Sequence, residues 1–210
     1  MMQKLFYRPL RGGLFAMLGL VGLHARAEAP VPPMPALAAA CLACHGAAVA
    51  GSLDGAPRLA GKNPQYLAHA LGMFKAGTRA SPVMQSVART LADDEIASLA
   101  AYFSTLRPPR LAGPVPDAAL VAAGQRLAET GAGVAVPACF SCHGGGGKGD
   151  GARFPSLVAE PPGFIVARLH EFQERARQAP PPPGSMTAVA SRMDEDQIRQ
   201  AAAYLSQLDP

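Results

Sequence analysis

The chain has 210 residues, with 19 lysines and arginines against 15 aspartates and glutamates, a formal charge of +4, four cysteines and no tryptophan. The excess positive charge sits entirely in the first 27 residues (Lys4, Arg8, Arg11 and Arg26, with no acid), leaving residues 28–210 neutral. With no basic run and no aromatic interleaving, this composition excludes nucleic acid as a partner.

In chain order, Lys4, Arg8 and Arg11 open a basic segment, residues 12–23 are apolar, and Ala25-Arg26-Ala27 forms a small-residue cleavage site. This is the pattern of a secretory signal, with cleavage predicted after Ala27. Twelve apolar residues are short of the roughly twenty that span a bilayer; an uncleaved anchor is the alternative. The protein is therefore expected in the periplasm, with membrane association as the variant reading.

Next come Cys41-Leu42-Ala43-Cys44-His45 and, 98 positions later, Cys139-Phe140-Ser141-Cys142-His143, which together use all four cysteines. Cys-x-x-Cys-His is the attachment pattern of haem c. Each thiol adds to one vinyl group of the porphyrin, and the adjacent imidazole is placed as an axial iron ligand. Cys41, Cys44, Cys139 and Cys142 are thus candidates for covalent haem attachment, and His45 and His143 for iron ligation. A zinc site would need the two cysteine pairs to converge and would leave the histidine after each pair unexplained. A thioredoxin-like motif needs strands around it, and none is predicted. A structural disulfide needs no histidine.

The spacing of 98 extends beyond the motifs: Pro57 matches Pro155, Leu59 matches Leu157, Leu71 matches Leu169 and Phe74 matches Phe172. After a short insertion the spacing becomes 102, pairing Met84 with Met186, Ile96 with Ile198 and Tyr102 with Tyr204. One unit written twice predicts two like domains, at 28–109 and 117–210, joined by a Pro-rich linker at 110–116. Apolar residues at helical spacing (Tyr66, Leu67, Ala70, Leu71 and Phe74, then Phe164, Ile165, Leu169 and Phe172) predict a helix in each half. Acidic first turns predict closing helices over 93–106 and 194–208. The helical pattern predicts an all-α fold class, two tandem like domains, each enclosing one haem c. Each half has few large apolar residues, so folding should be coupled to acquisition of the haem as its apolar centre.

The sixth iron ligand decides between closed and open haems. A thioether closes the iron and raises its potential, which suits electron transfer. Of the methionines beyond residue 27, only Met84 and Met186 recur across the repeat, each in a stretch predicted as a loop just before the closing helix. They are the candidate axial ligands. Met73 and Met193 are assigned to packing, and His69 and His170, which do not recur, to the surface or to packing. The Gly144–Gly151 segment lacks the Lys-Ser/Thr ending of a phosphate loop and is expected to be a flexible turn. Pro57 and Pro155, equally placed after each motif, could offer a carbonyl to the histidine N–H and fix its tautomer.

These residues resemble the cytochrome c4 family of periplasmic dihaem cytochromes. The resemblance rests on residues 41–46 and 139–144, on Pro57-Arg58-Leu59-Ala60-Gly61, on Phe74-Lys75-Ala76-Gly77, on Met84 with Leu91, and on Leu99-Ala100-Ala101-Tyr102-Phe103. It implies two class I cytochrome c folds packed as a pseudo-twofold pair, two haem c cofactors with His/Met ligation, and electron delivery between membrane respiratory complexes and a terminal oxidase. The chain departs from the family in its first half, where prolines before Cys41 leave no room for the usual N-terminal helix. The second half has one at about 117–130, with Gly124 placed to admit the closing helix near Tyr204.

The functional expectation is an electron carrier with no catalytic residue, meeting redox partners such as a quinol-cytochrome c reductase, a terminal oxidase or a dehydrogenase. The alternative is the cytochrome subunit of a larger dehydrogenase, for example a flavocytochrome sulfide dehydrogenase. A third reading, a ligand-binding haem enzyme such as a peroxidase, requires an open iron.

Overall fold

Proline, serine, asparagine and aspartate mark where most of the helices begin. In the computed structural model, which describes residues 35–53 and 55–210, the first half contains α1 (Ala38–His45), α2 (Pro64–Lys75), α3 (Pro82–Arg89) and α4 (Asp93–Thr105). The second contains α5 (Ala118–Thr130), α6 (Phe140–His143), α7 (Pro162–Gln178), α8 (Met186–Ala190) and α9 (Glu195–Leu205). The expected export signal at 1–27 lies outside the described residues. Among them there is no β-strand, only the isolated bridges Ala132–Val136 and Asp150–Phe154, and no helix long and apolar enough to cross a membrane.

The two halves repeat one order: a motif-bearing helix (α1, α6), a long helix (α2, α7), a short one (α3, α8) and a closing one (α4, α9). Helix α2 packs on α3 and α4, and α7 on α8 and α9. Helix α5 has no counterpart among the described residues of the first half; it packs along α9. The side chain of Asn63 caps α2 by accepting from the Tyr66 N–H, and Pro64 follows at the first position, where a missing N–H costs nothing. Asp194 and Gln197 cap α9 reciprocally, satisfying two otherwise orphaned donors. Leu67, Ile96, Leu99 and Phe103 centre one apolar core; Ile165, Leu169, Met193, Ile198 and Leu205 centre the other. The burial of Met193 agrees with its assignment to packing.

Two local expectations are corrected. Met84 and Met186 do not lie in loops: Met84 is in the first turn of α3 and Met186 opens α8. Ser81 accepts from the Met84 N–H and Ser185 from the Ala188 N–H, so these serines are N-caps. The glycine-rich segment is closely packed at Gly144, Gly147 and Gly149, and open at Gly145, Gly146 and Gly151. A Cβ on Gly147 would lie 2.7 Å from the Phe140 ring, and one on Gly149 2.8 Å from the Ser156 nitrogen. Both have positive φ, so glycine is needed there for backbone and for space.

Residues 106–117 form no helix. This connector is held by Arg58, which is 2% exposed. Its guanidinium donates to the carbonyls of Pro108 at 2.5 Å, Pro109 at 3.1 Å and Ala60 at 3.1 Å. Proline-rich backbone has few N–H groups of its own to pair, and Arg58 supplies the donors from inside. Replacing Arg58 by leucine is expected to cost about 3 kcal/mol, since charged hydrogen bonds contribute about 1.5–3 kcal/mol each and are not additive. Thermal unfolding of the holoprotein would read this cost, and limited proteolysis should cut the connector faster.

Candidate functional site

Helix α1 carries Cys41 and Cys44 at i and i+3, on one face, and ends at His45. In the second half Cys139 caps α6, which carries Cys142 and ends at His143. All four cysteines are free thiols, with Cys44 and Cys142 exposed and Cys41 and Cys139 half-buried. Burial raises the pKa of the Cys41 and Cys139 thiols, keeping them neutral.

Both histidines are buried, at 6% and 5% exposure. Burial is the main influence on each and lowers both pKa values. The neutral ring, the form that has a lone pair for a metal, is therefore favoured. His45 Nδ1 donates to the Pro57 carbonyl at 2.8 Å and His143 Nδ1 to the Pro155 carbonyl at 2.7 Å. Each ring thus has its Nδ1 proton tied to backbone and its Nε2 left to act as a donor to iron. The paired prolines do what their equal spacing suggested.

Met186 packs on the rim of the second core together with Cys139, Phe140 and Phe172. Met84 is partly buried on α3, beside exposed Val83 and Val87. His69 is exposed, and the exposed His170 pairs with Glu195 at 2.8 Å. Among the described residues no three His, Cys, Asp or Glu side chains converge, as a protein-only zinc centre would require. The donor set fits haem c: in each half two free thiols one helical turn apart, then a neutral imidazole of fixed tautomer.

Sequence reasoning missed what joins the halves. Lys62 and Glu160 form an ion pair, with side chains 6% and 3% exposed. Glu160 also accepts from the Arg58 N–H at 3.0 Å, and Lys62 donates to the Ser156 carbonyl at 2.8 Å. A Cβ on Gly51 would lie 2.5 Å from the Pro161 ring, so the backbones also approach closely. The available signal was the repeat register itself, which aligns Lys62 with Glu160 and Arg58 with Ser156 at the spacing of 98.

A cytochrome c family model matches the chain twice, over residues 35–107 and 121–209. A thiosulfate dehydrogenase electron acceptor from Thiomonas intermedia (strain K12) is 38% identical over 200 residues, covering 94% of this chain and 91% of that one. The solved thiosulfate dehydrogenase of Marichromatium purpuratum matches 81% of this chain with a TM-score of 0.70 and 40% identity, but this chain spans only 36% of that longer one. A cytochrome c4 structure from Acidithiobacillus ferrooxidans matches 81% of this chain and 99% of its own, with a TM-score of 0.71 and 30% identity.

Proposed function

Because the chain belongs to the cytochrome c family and is a dihaem electron carrier of two tandem all-α domains, we propose that it accepts electrons from a dehydrogenase acting on an inorganic sulfur compound and passes them on singly towards a respiratory oxidase. The observation that carries this reading is the likeness to the Thiomonas electron acceptor over nearly the whole of both chains. The likeness to one part of the Marichromatium dehydrogenase supports it.

In this reading the domains are 28–109 and 117–210, with 110–116 between them, and export through the 1–27 signal places the protein in the periplasm. Cys41 and Cys44, then Cys139 and Cys142, hold the two haems covalently. His45 and Met84 would hold the iron in the first half, and His143 and Met186 in the second. Haem c, when bound, supplies an iron that cycles between two oxidation states. The chain's own part is to keep each histidine neutral and oriented through the Pro57 and Pro155 carbonyls, to close the opposite face with a thioether, and to exclude water with the apolar cores. With a histidine and a methionine both committed to the iron, each half would be suited to electron exchange and would leave no place for a substrate.

The near-complete coverage of the cytochrome c4 structure favours a second reading, a free carrier fed by a quinol-cytochrome c reductase. Mixing the oxidised holoprotein with a thiosulfate dehydrogenase and thiosulfate, and following the reduced-haem absorbance, separates the two. Reduction within a catalytic turnover, faster than with reductase and quinol, is the expected result. Reduction by the reductase alone would put the second reading first.

A further inference from the structure

A cavity of about 360 Å³ lies at the seam, with Lys62, Asn63, Ser104 and Arg107 of the first half and Lys148 and Phe154 of the second in its walls. No motif cysteine, no candidate iron ligand and no residue of α3 or α8 lines it, so it stands apart from the donor sets already described. Its charge is one-sided. Lys62 is met by Glu160, but Arg107 and Lys148, both exposed, have no carboxylate partner among the described residues. No aspartate or glutamate lines the cavity; even Asp150, between the lining residues Gly149 and Gly151, is not part of the wall. Burial is the main cause of the lowered Arg58 pKa, and Arg107 lowers it further, which marks a second cation close behind the wall.

We infer that this cavity binds a tetrahedral inorganic oxyanion carrying two negative charges, of the sulfate or phosphate class, clasped by Arg107 from one half and Lys148 from the other. The guanidinium is already set in place: Arg107 Nη1 donates to the Ser104 carbonyl at 2.6 Å and to the Leu106 carbonyl at 2.8 Å, which leaves Nη2 and Nε for another acceptor. A fixed guanidinium matches the oxygens of an oxyanion in pairs, and a lysine adds a point charge that needs no fixed direction. Asn63 spends its side-chain oxygen on the Tyr66 N–H at 3.0 Å and keeps its amide hydrogens for a ligand. Sites for organic ligands are mostly apolar. Here the only aromatic ring is Phe154, and it is already engaged by the Arg153 guanidinium and the edge of His143, so no platform is left for a base or a ring. Two unmatched cations also favour a doubly charged anion over chloride, which neutralises only one of them. The anion would tie the two halves together and stabilise the folded chain by mass action. This site is independent of where the electrons come from.

The test is an amide NMR titration of the reduced holoprotein with sodium sulfate and, separately, sodium phosphate, with ionic strength held constant by sodium chloride. Each oxyanion should move the Asn63, Lys148 and Gly149 signals along a saturating curve and raise the melting temperature, while chloride at equal ionic strength does neither. R107Q and K148Q should each weaken binding about tenfold, the effect of losing one charge-assisted hydrogen bond, and K148R, which keeps the charge, should bind nearly as wild type. Arg107 also holds the end of α4, so K148Q, at an exposed position, is the variant that separates loss of the site from loss of the fold; its haem absorbance should be that of wild type. Shifts that do not saturate, that chloride reproduces, or that K148Q leaves unchanged overturn the inference.

Discussion

Met84→Ala is expected to turn one of the two irons from closed to open, so that the reduced protein binds carbon monoxide at one haem and keeps the other unreactive. Wild-type protein should bind none at either. The first turn of α3 presents Met84, held by the Ser81 cap on its own N–H and by Pro82 at the helix start. Removing the thioether leaves the helix intact, because alanine is a better helix former than methionine, and takes away only the ligand. The potential of that haem should fall, since a thioether opposite histidine raises it, and the far-red band of methionine-bound ferric haem should lose about half its intensity. Met186→Ala should do the same at the other haem. Met193→Ala is the control: its side chain is 7% exposed in the second core, so it should cost about 2–5 kcal/mol of stability without opening an iron. Carbon monoxide binding by the wild type, or its absence in both ligand variants, would overturn the assignment.

Gly124→Ala carries the largest expected structural cost. A Cβ at this position would lie 2.0 Å from the Gln200 carbonyl oxygen and 2.7 Å from the Tyr204 Cβ, so α5 and α9 can cross as they do only over glycine. The obstacle is backbone, which cannot rotate away, and α5 must move off α9. A loss of about 3 kcal/mol is expected, at the upper end for overpacking, or a fall of about 10 °C in melting temperature for a chain of this size. The damage should be confined to the second half, with its haem spectrum disturbed and the first haem's retained. Gly72→Ala is the matched control: Gly72 lies in α2, and its added Cβ would meet nothing within 4 Å. There the better helix propensity of alanine should leave stability unchanged or raise it by up to about 1 kcal/mol.

Gly124 is legible in the amino-acid sequence because a glycine in the middle of a helical stretch costs stability unless a second backbone comes close to it. The motif helices, the closing helices and the Pro57 and Pro155 carbonyls are legible for a different reason: each is encoded within about a dozen neighbouring residues and written twice. The short helices at Met84 and Met186 are harder to read. Pro82 and Pro183 suggest loops, since proline breaks a helix from within, yet a serine cap followed by proline also starts one, as Ser81 and Pro82 do. The close packing of the glycine run is hidden from local pattern, because its partners, Phe140 and Ser156, flank it on separate segments.

The sequence by itself determined the cofactor of each half and proposed its thiol anchors, its histidine and its sixth ligand. Those choices depend on covalent spacing and on local helix periodicity. Only the tertiary structure decided how the halves address each other. Arg58 finds the connector about fifty residues away, and Glu160 finds the Arg58 N–H 102 residues away. No local pattern encodes such pairings. A buried charge is tolerated only where a partner is brought to it, and that partner is supplied by the packing of one half on the other.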